Sequence, residues 1–188
     1  MTDLVTPRLV IRDWTEDPAD LARLFDTYSR WEVAQWLGAQ PKAMDDPEQA
    51  VRAVRRWSQA NRELGDTYGT WAVQPRDGGP VAGTVLLKPM PGADDQPTSD
   101  VEVGWHLHPD AWGRGYATEA ARAVVDRAFA SGLRTVYAVV RPGNDASIAV
   151  TRRLGMTPLG RRTDWYGGME VEAFVLSADD RWLGDRDG

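Results

Sequence analysis

The chain has no cysteine among its 188 residues, only two histidines, and only two lysines, Lys42 and Lys88. The missing cysteine excludes disulfides, thiolate metal sites and a thiol nucleophile together. The two histidines, His106 and His108, lie two apart, a spacing that suits a metal, but without cysteine or a third histidine the ligand set is incomplete and no metal is expected. Basic residues are outnumbered 22 to 28, giving a net charge of −6 with no lysine- or arginine-rich run, so nucleic acid is not an expected partner. A negative field favours the approach of cationic small molecules and basic peptides. No segment nears the ~18 consecutive apolar residues of a membrane span, and the first residues lack the basic start and apolar stretch of a signal peptide. A cytoplasmic protein with no membrane partner is the expectation.

What is present fits one domain, residues 1–188, with 42% apolar residues to fill a core. Residues 8–12 read as a first strand. A helix starting at Asp17 or Pro18 carries Leu21, Leu24, Phe25 and Tyr28 at helical spacing, and a short helical region covers residues 31–37. A third helix begins near Pro47 and stops at Gly65. Residues 70–74 and 81–88 form a hairpin, and residues 89–98, with three prolines, read as a solvated loop. Two final strands, near 157–163 and 170–177, flank the turn Trp165-Tyr166-Gly167-Gly168, and residues 184–188 are expected to fray.

The most regular strand is 101–108. Period-two alternation puts Val101, Val103, Trp105 and Leu107 on one face and Glu102, Gly104, His106 and His108 on the other. It runs into Trp112-Gly113-Arg114-Gly115-Tyr116-Ala117, which opens a helix with an apolar stripe from Ala117 to Phe129 and a stop at Gly132. Glycines allow close backbone approach, and the free N–H groups of a helix start point at the guest, so the turn reads as an anion cradle suited to phosphate. Rossmann and Walker sites do not fit. The turn lies past the middle of the chain, no acidic residue ends the next strand (Val139-Val140-Arg141), and no Gly-Lys-Ser/Thr follows. Beyond the strand at 135–140, Asn144 can cap a helix carrying Ile148, Val150, Thr151 and Leu154, which Gly155 ends.

Several of these features, in fixed order, resemble one superfamily: Val101-Glu102-Val103-Gly104-Trp105, His108-Pro109, Gly113 through Ala120, Arg141 through Ser147, Leu154-Gly155-Met156, and the opening Thr6-Pro7-Arg8-Leu9-Val10-Ile11-Arg12. The chain is similar to GNAT acyl-CoA N-acyltransferases, of the RimJ/RimL-like branch typified by ribosomal-protein alanine N-acetyltransferases, over nearly its whole length. The resemblance implies an α/β domain with a mixed, mostly antiparallel sheet of about seven strands, flanked by helices and splayed between the strands at 101 and 135 to admit acetyl-CoA. It implies direct acetyl transfer in a ternary complex to a primary amine, either a small molecule or a peptide N-terminus, and it leaves a homodimer open. A succinyl or longer donor, or an acyl-CoA sensor without turnover, are the rival readings.

The residues implied for acetyl-CoA are Leu107, Trp112, Gly113, Arg114, Gly115, Tyr116, Ala117, Thr118 and Asn144. Trp112 stands where the family has Gln or Arg, a departure that backbone contacts to pyrophosphate tolerate. Glu102 is the candidate base, with His106 as second choice. Many relatives carry a general-acid Tyr seven residues after the position of Asn144, where this chain has Thr151, so Ser147 is ranked first as proton donor, ahead of Thr151 and water. The oxyanion donor is expected from a backbone N–H at His106 or Leu107, where a strand bulge is expected. Trp31, Trp36 and Tyr166 fall in segments that border the acceptor channel, an aromatic wall suited to a cationic amine. Whether Arg114, Arg122, Arg152 or Arg153 reaches the phosphates does not follow from the sequence.

Overall fold

The computed structural model describes residues 3–180, so the expected fraying at 184–188 lies outside the described residues. Eight strands form one sheet in the order β1-β2-β3-β4-β5-β6-β8-β7. They are β1 (Leu4–Val5), β2 (Leu9–Asp13), β3 (Gly69–Pro75), β4 (Gly83–Pro91), β5 (Pro97–Leu107), β6 (Thr135–Val140), β7 (Thr157–Arg162) and β8 (Val171–Ser177). The strand beyond the expected seven is β1, two residues that pair Leu4 with Ile11 and Val5 with Val10; so short a segment carries no alternation to read.

The helices are α1 (Pro18–Ser29), α2 (Trp31–Ala34), α3 (Glu48–Leu64), α4 (Tyr116–Ala130) and α5 (Asp145–Arg153). Pro18 occupies the first turn of α1, where its missing N–H costs nothing, and Gly65, at φ 78°, ends α3. Regular α2 is shorter than the expected 31–37 region, although Trp36 and Leu37 N–H groups continue it by bonding the Val33 and Ala34 carbonyls.

One face of the sheet is closed by α4. Its Ala120, Ala121, Val124, Val125 and Ala128 are buried against Val103, Val85 and Leu9, and small side chains let the helix lie close to the strands. On the other face a second core joins Trp14, Leu24, Tyr28, Ala50, Ala53 and Val54, with Trp57 packed on it. Helix α1 therefore lies on the face that carries Glu102 and His106, reaching it at Tyr28 beside His106, while Tyr166 and a third core around Trp165 and Met90 lie nearer Glu102.

Every strand pairing is antiparallel except β5 with β6, which touch in register at a single pair, Glu102 with Tyr137. Beyond that point the two strands part, as the expected splay requires.

Two expectations need correcting. Of the solvated loop expected at 89–98 only the exposed turn at 93–96 remains: β4 and β5 continue as a hairpin to the Pro91–Pro97 pair, with a register irregularity between Pro89 and Pro91. Met90 is fully buried, and Thr98 Oγ1 bonds its carbonyl at 2.7 Å. Proline fixes an extended φ, so these prolines fit strand geometry where no donor is required. The bulge expected at His106 and Leu107 is also missing, because the β4–β5 register runs unbroken from Gly83–Leu107 to Pro89–Val101. Close backbone approach takes its place. A Cβ on Gly83 would lie 2.3 Å from the His106 carbonyl oxygen.

Candidate active site

Where β5 and β6 separate, a cavity of about 820 Å³ opens. Its walls are β5 from Glu102 to Leu107, the turn and first residues of α4, β6 from Ala138 to Val140, the start of α5, and the segment from Glu32 to Leu37. Leu107, Trp112, Gly113, Gly115, Tyr116, Ala117, Thr118, Asn144 and Ser147 all line it, together with Glu102, His106 and Trp36.

At the cradle, Gly113 and Gly115 have φ of 74° and 75°, a left-handed conformation that disfavours any side chain. The first backbone bond of α4 runs from Glu119 N–H to Gly115 C=O, so the N–H groups of Tyr116, Ala117 and Thr118 have no partner within the helix. Those donors, on a positive helix end, fit a pyrophosphate. The turn is braced from behind. Arg8 donates to Glu119 at 2.6 Å and to the Arg114 carbonyl at 2.8 Å, and its guanidinium lies 5.1 Å from the Tyr116 ring centroid. Burial pushes the Glu119 carboxyl up, but donors from Thr6 and Arg8 outweigh it and hold it below its ordinary value.

The tryptophan that replaces the usual Gln or Arg has a role: Trp112 Nε1 donates to the Leu107 carbonyl at 2.9 Å. That bond ties the turn to the end of β5. The His108 N–H donates to Ala82 on the β4 side at 2.9 Å. Backbone donors alternate along a strand, so those of Trp105 and Leu107 turn toward the open β6 side and that of His106 does not.

Asn144 Oδ1 accepts from the Ser147 N–H at 3.2 Å, capping α5 as the sequence suggests. Thr151 is fully buried and its hydroxyl donates to the Ile148 carbonyl at 2.8 Å, so it has no access to the cavity and drops out as a proton donor. Ser147 remains on the wall. Trp31 is 56% exposed and lies outside the cavity lining, which removes the basis for placing it in a channel, whereas Trp36 is part of the wall. Arg153 lines the cavity. Arg122 donates to the Arg153 carbonyl at 3.0 Å, while the Arg114 and Arg152 side chains are not in the lining.

Glu102 sits where the strands diverge. Burial pushes its carboxyl above the usual value, while Lys88 opposite it on β4 and a hydrogen bond from the Tyr166 hydroxyl pull the other way. His106, four residues on along the same face, is lowered to about 4, first by burial and then by Lys88. Its Nδ1 lies 3.1 Å from the Tyr28 hydroxyl, which donates to Thr84 Oγ1 at 2.9 Å. His108 points to α1 as well: Nε2 is 3.0 Å from Asp26, and Nδ1 caps the short 3₁₀ turn Pro109–Ala111. It is a structural residue. Among the described residues no group of three or more His, Asp or Glu side chains is placed to hold a metal ion, and no helix is long and apolar enough to cross a membrane.

Nothing in the sequence connects Tyr28 and Thr84 to His106, or Lys88 to Glu102. Each partner comes from a distant segment, and no local pattern signals it.

Residues 8–157 match the family model of the acetyltransferase (GNAT) domain. The chain belongs to the GNAT acetyltransferase family. It is 27% identical over 177 residues to the uncharacterized N-acetyltransferase YoaA of Bacillus subtilis, covering 93% of this chain and 94% of that one. It is 30% identical over 118 residues to an L-methionine sulfoximine/L-methionine sulfone acetyltransferase of Pseudomonas aeruginosa, covering 56% and 66%. Among solved structures, a RimL ribosomal alpha-N-protein acetyltransferase in complex with coenzyme A superposes with a TM-score of 0.74 at 19 parts in 20 of this chain, 95%, and 99% of that one, with 16% identity. The GNAT fold is thereby fixed, and the enzyme class is an acetyl-CoA-dependent N-acetyltransferase.

Proposed function

We propose that this GNAT enzyme transfers acetyl directly from acetyl-CoA to a primary amine held against Glu102 in a ternary complex. The observation that carries the reading is the placement of Glu102. It is the β5 member of the single β5–β6 register pair, on the wall of the same cavity that the glycine cradle lines.

The N–H groups of Tyr116, Ala117 and Thr118 bind the pyrophosphate, and Asn144 holds the pantetheine arm. Leu107 supplies a backbone N–H to the developing oxyanion, and Trp112 fixes that strand end by holding the Leu107 carbonyl. Glu102 accepts the proton of the incoming ammonium, directly or through water, and its raised pKa brings it closer to the range where a base works. Ser147 delivers a proton to the departing thiolate. Holding both reactants in line lowers the barrier by several kcal/mol, up to ~7–11 in the best intramolecular models. No covalent enzyme intermediate is needed, in keeping with a chain that has no cysteine.

The acceptor is a small amino compound or a peptide N-terminus. The names of the methionine sulfone acetyltransferase and of the RimL structure represent those two classes, and the RimJ/RimL-like motifs favour the second. The test is thiol release from acetyl-CoA with L-methionine sulfone, small aliphatic amines and alanine-initiated peptides, with succinyl-CoA as a second donor. Release with at least one amine is expected; tight acetyl-CoA binding with no release from any of them would favour a sensor.

A further inference from the structure

Tyr166 is one of two non-glycine residues of the described chain with a positive φ, at 54°. A bulky side chain in that region is disfavoured and persists only where the surroundings fix it. Here they do. Trp165 is buried, and its Nε1 donates to Asp100 at 2.8 Å. Trp165 also bridges to Gly92 at the tip of the β4–β5 hairpin, and the Gly167 N–H reaches the Gly92 carbonyl at 3.3 Å. Gly167 and Gly168 follow, both with positive φ. A hairpin tip and a turn 70 or more residues away are thus locked together, and the side chain that this geometry directs inward is Tyr166. Its hydroxyl donates to Glu102 Oε2, and Lys88 Nζ lies 5.5 Å from the centroid of its ring.

We propose that Tyr166 and Lys88 are positioning residues for the acetyl transfer: they hold the Glu102 carboxylate as an oriented anion with its second oxygen free for the amine. This rests on Glu102 being the base. The hydroxyl occupies one carboxylate oxygen, which fixes the orientation of the group. Lys88, the register partner of Glu102 on β4, supplies positive charge beside it and spans the Tyr166 ring by cation–π contact. Arg141 and Arg153 also line the cavity, but the cation whose charge reaches the Glu102 carboxyl is Lys88. Tyr137, its partner on β6, and Asp100 and His106 on its own strand are neutral or acidic, as is Glu32 on the opposite wall of the cavity. Within this group the anion depends on Lys88 and on the phenol.

The test reads the Glu102 titration by ¹³C NMR of side-chain-labelled glutamate in the full chain, the resonance being assigned by its loss in Glu102→Gln. Tyr166→Phe keeps the ring and removes only the hydroxyl; Lys88→Met removes only the charge. Both are expected to titrate at higher pH than the parent, because each loses a group that favours the anion, and Lys88→Arg is expected to restore the parental curve. A structural role alone would change the melting temperature and leave the titration in place. An unmoved Glu102 titration in Tyr166→Phe and Lys88→Met, with both variants folded, overturns the proposal while leaving Glu102 as base. Parental acetyl transfer by Glu102→Gln would instead refute the base, and the titration shift would survive it.

Discussion

Two positions four residues apart on β5, Glu102 in its middle and His106 near its end, carry the same design with opposite results. At each an ionisable side chain that lines the cavity touches a phenol: Glu102 the half-buried Tyr166, and His106 the buried Tyr28. Burial penalises the charged form in both cases, so it raises the carboxyl and lowers the imidazole. The outcome is asymmetric for catalysis. Raising a carboxyl moves it toward neutrality and makes it a stronger base, whereas an imidazole lowered to about 4 is uncharged at working pH and a weak base. One strand therefore offers two candidates from sequence, and burial selects between them.

Exchanging each candidate for glutamine breaks the comparison most directly. Glu102→Gln is expected to lower kcat/KM for the amine by roughly 10²- to 10⁴-fold, the range for a general base, with KM for acetyl-CoA unchanged. His106→Gln is expected to lose less than about tenfold. The reverse order would make His106 the base.

A smaller effect is expected at the cradle. Gly115→Ala places a Cβ at φ 75° and 3.3 Å from the Arg8 guanidinium. Left-handed strain of ~1–2 kcal/mol translates into roughly a tenfold rise in KM for acetyl-CoA, read from steady-state kinetics. An unchanged KM would mean that the cofactor does not use this turn.

Stability against pH sharpens the contrast further, because the two groups have linkage of opposite sign. For His106 the folded value, about 4, lies below the unfolded 6.5. The unfolded chain binds the extra proton between them, so stability falls as pH drops through that window, by roughly 1–3 kcal/mol. For Glu102 the folded value lies above the unfolded 4.5, so the folded chain keeps its proton longer and stability falls as pH rises from 4.5 upward. Denaturant midpoints between pH 4 and 8 should lose the rising component in His106→Gln and the falling one in Glu102→Gln. Curves parallel to the parent in both variants would contradict the burial argument.

The smallest effects distinguish the two tryptophans near the cavity. Trp36→Ala is expected to raise the amine KM several-fold and Trp31→Ala to leave it alone, since Trp31 lies outside the lining. Equal effects would return Trp31 to the channel.

Much of this fold is legible because its signals are local. Alternation across 101–107 separates the α4 face from the face of Glu102 and His106, two glycines mark the cradle, and Asn144 announces α5. Residues 89–98 are misleading because proline and glycine punctuate loops, while here burial of Met90 and the Trp165 bridge hold them as a hairpin. At the site, Glu102 and Ser147 stand out by motif, but what gives Glu102 its character comes from Tyr166, 64 residues away. Thr151 shows the converse. Its position in the motif suggests a proton donor, and only packing reveals a hydroxyl turned back onto its own helix.

The most direct measurement is the pH dependence of kcat/KM for an active amine in the parent and in Glu102→Gln. A rising acid limb in the parent that disappears in the variant is expected if Glu102 takes the proton. Two profiles of the same shape and similar height would contradict that assignment.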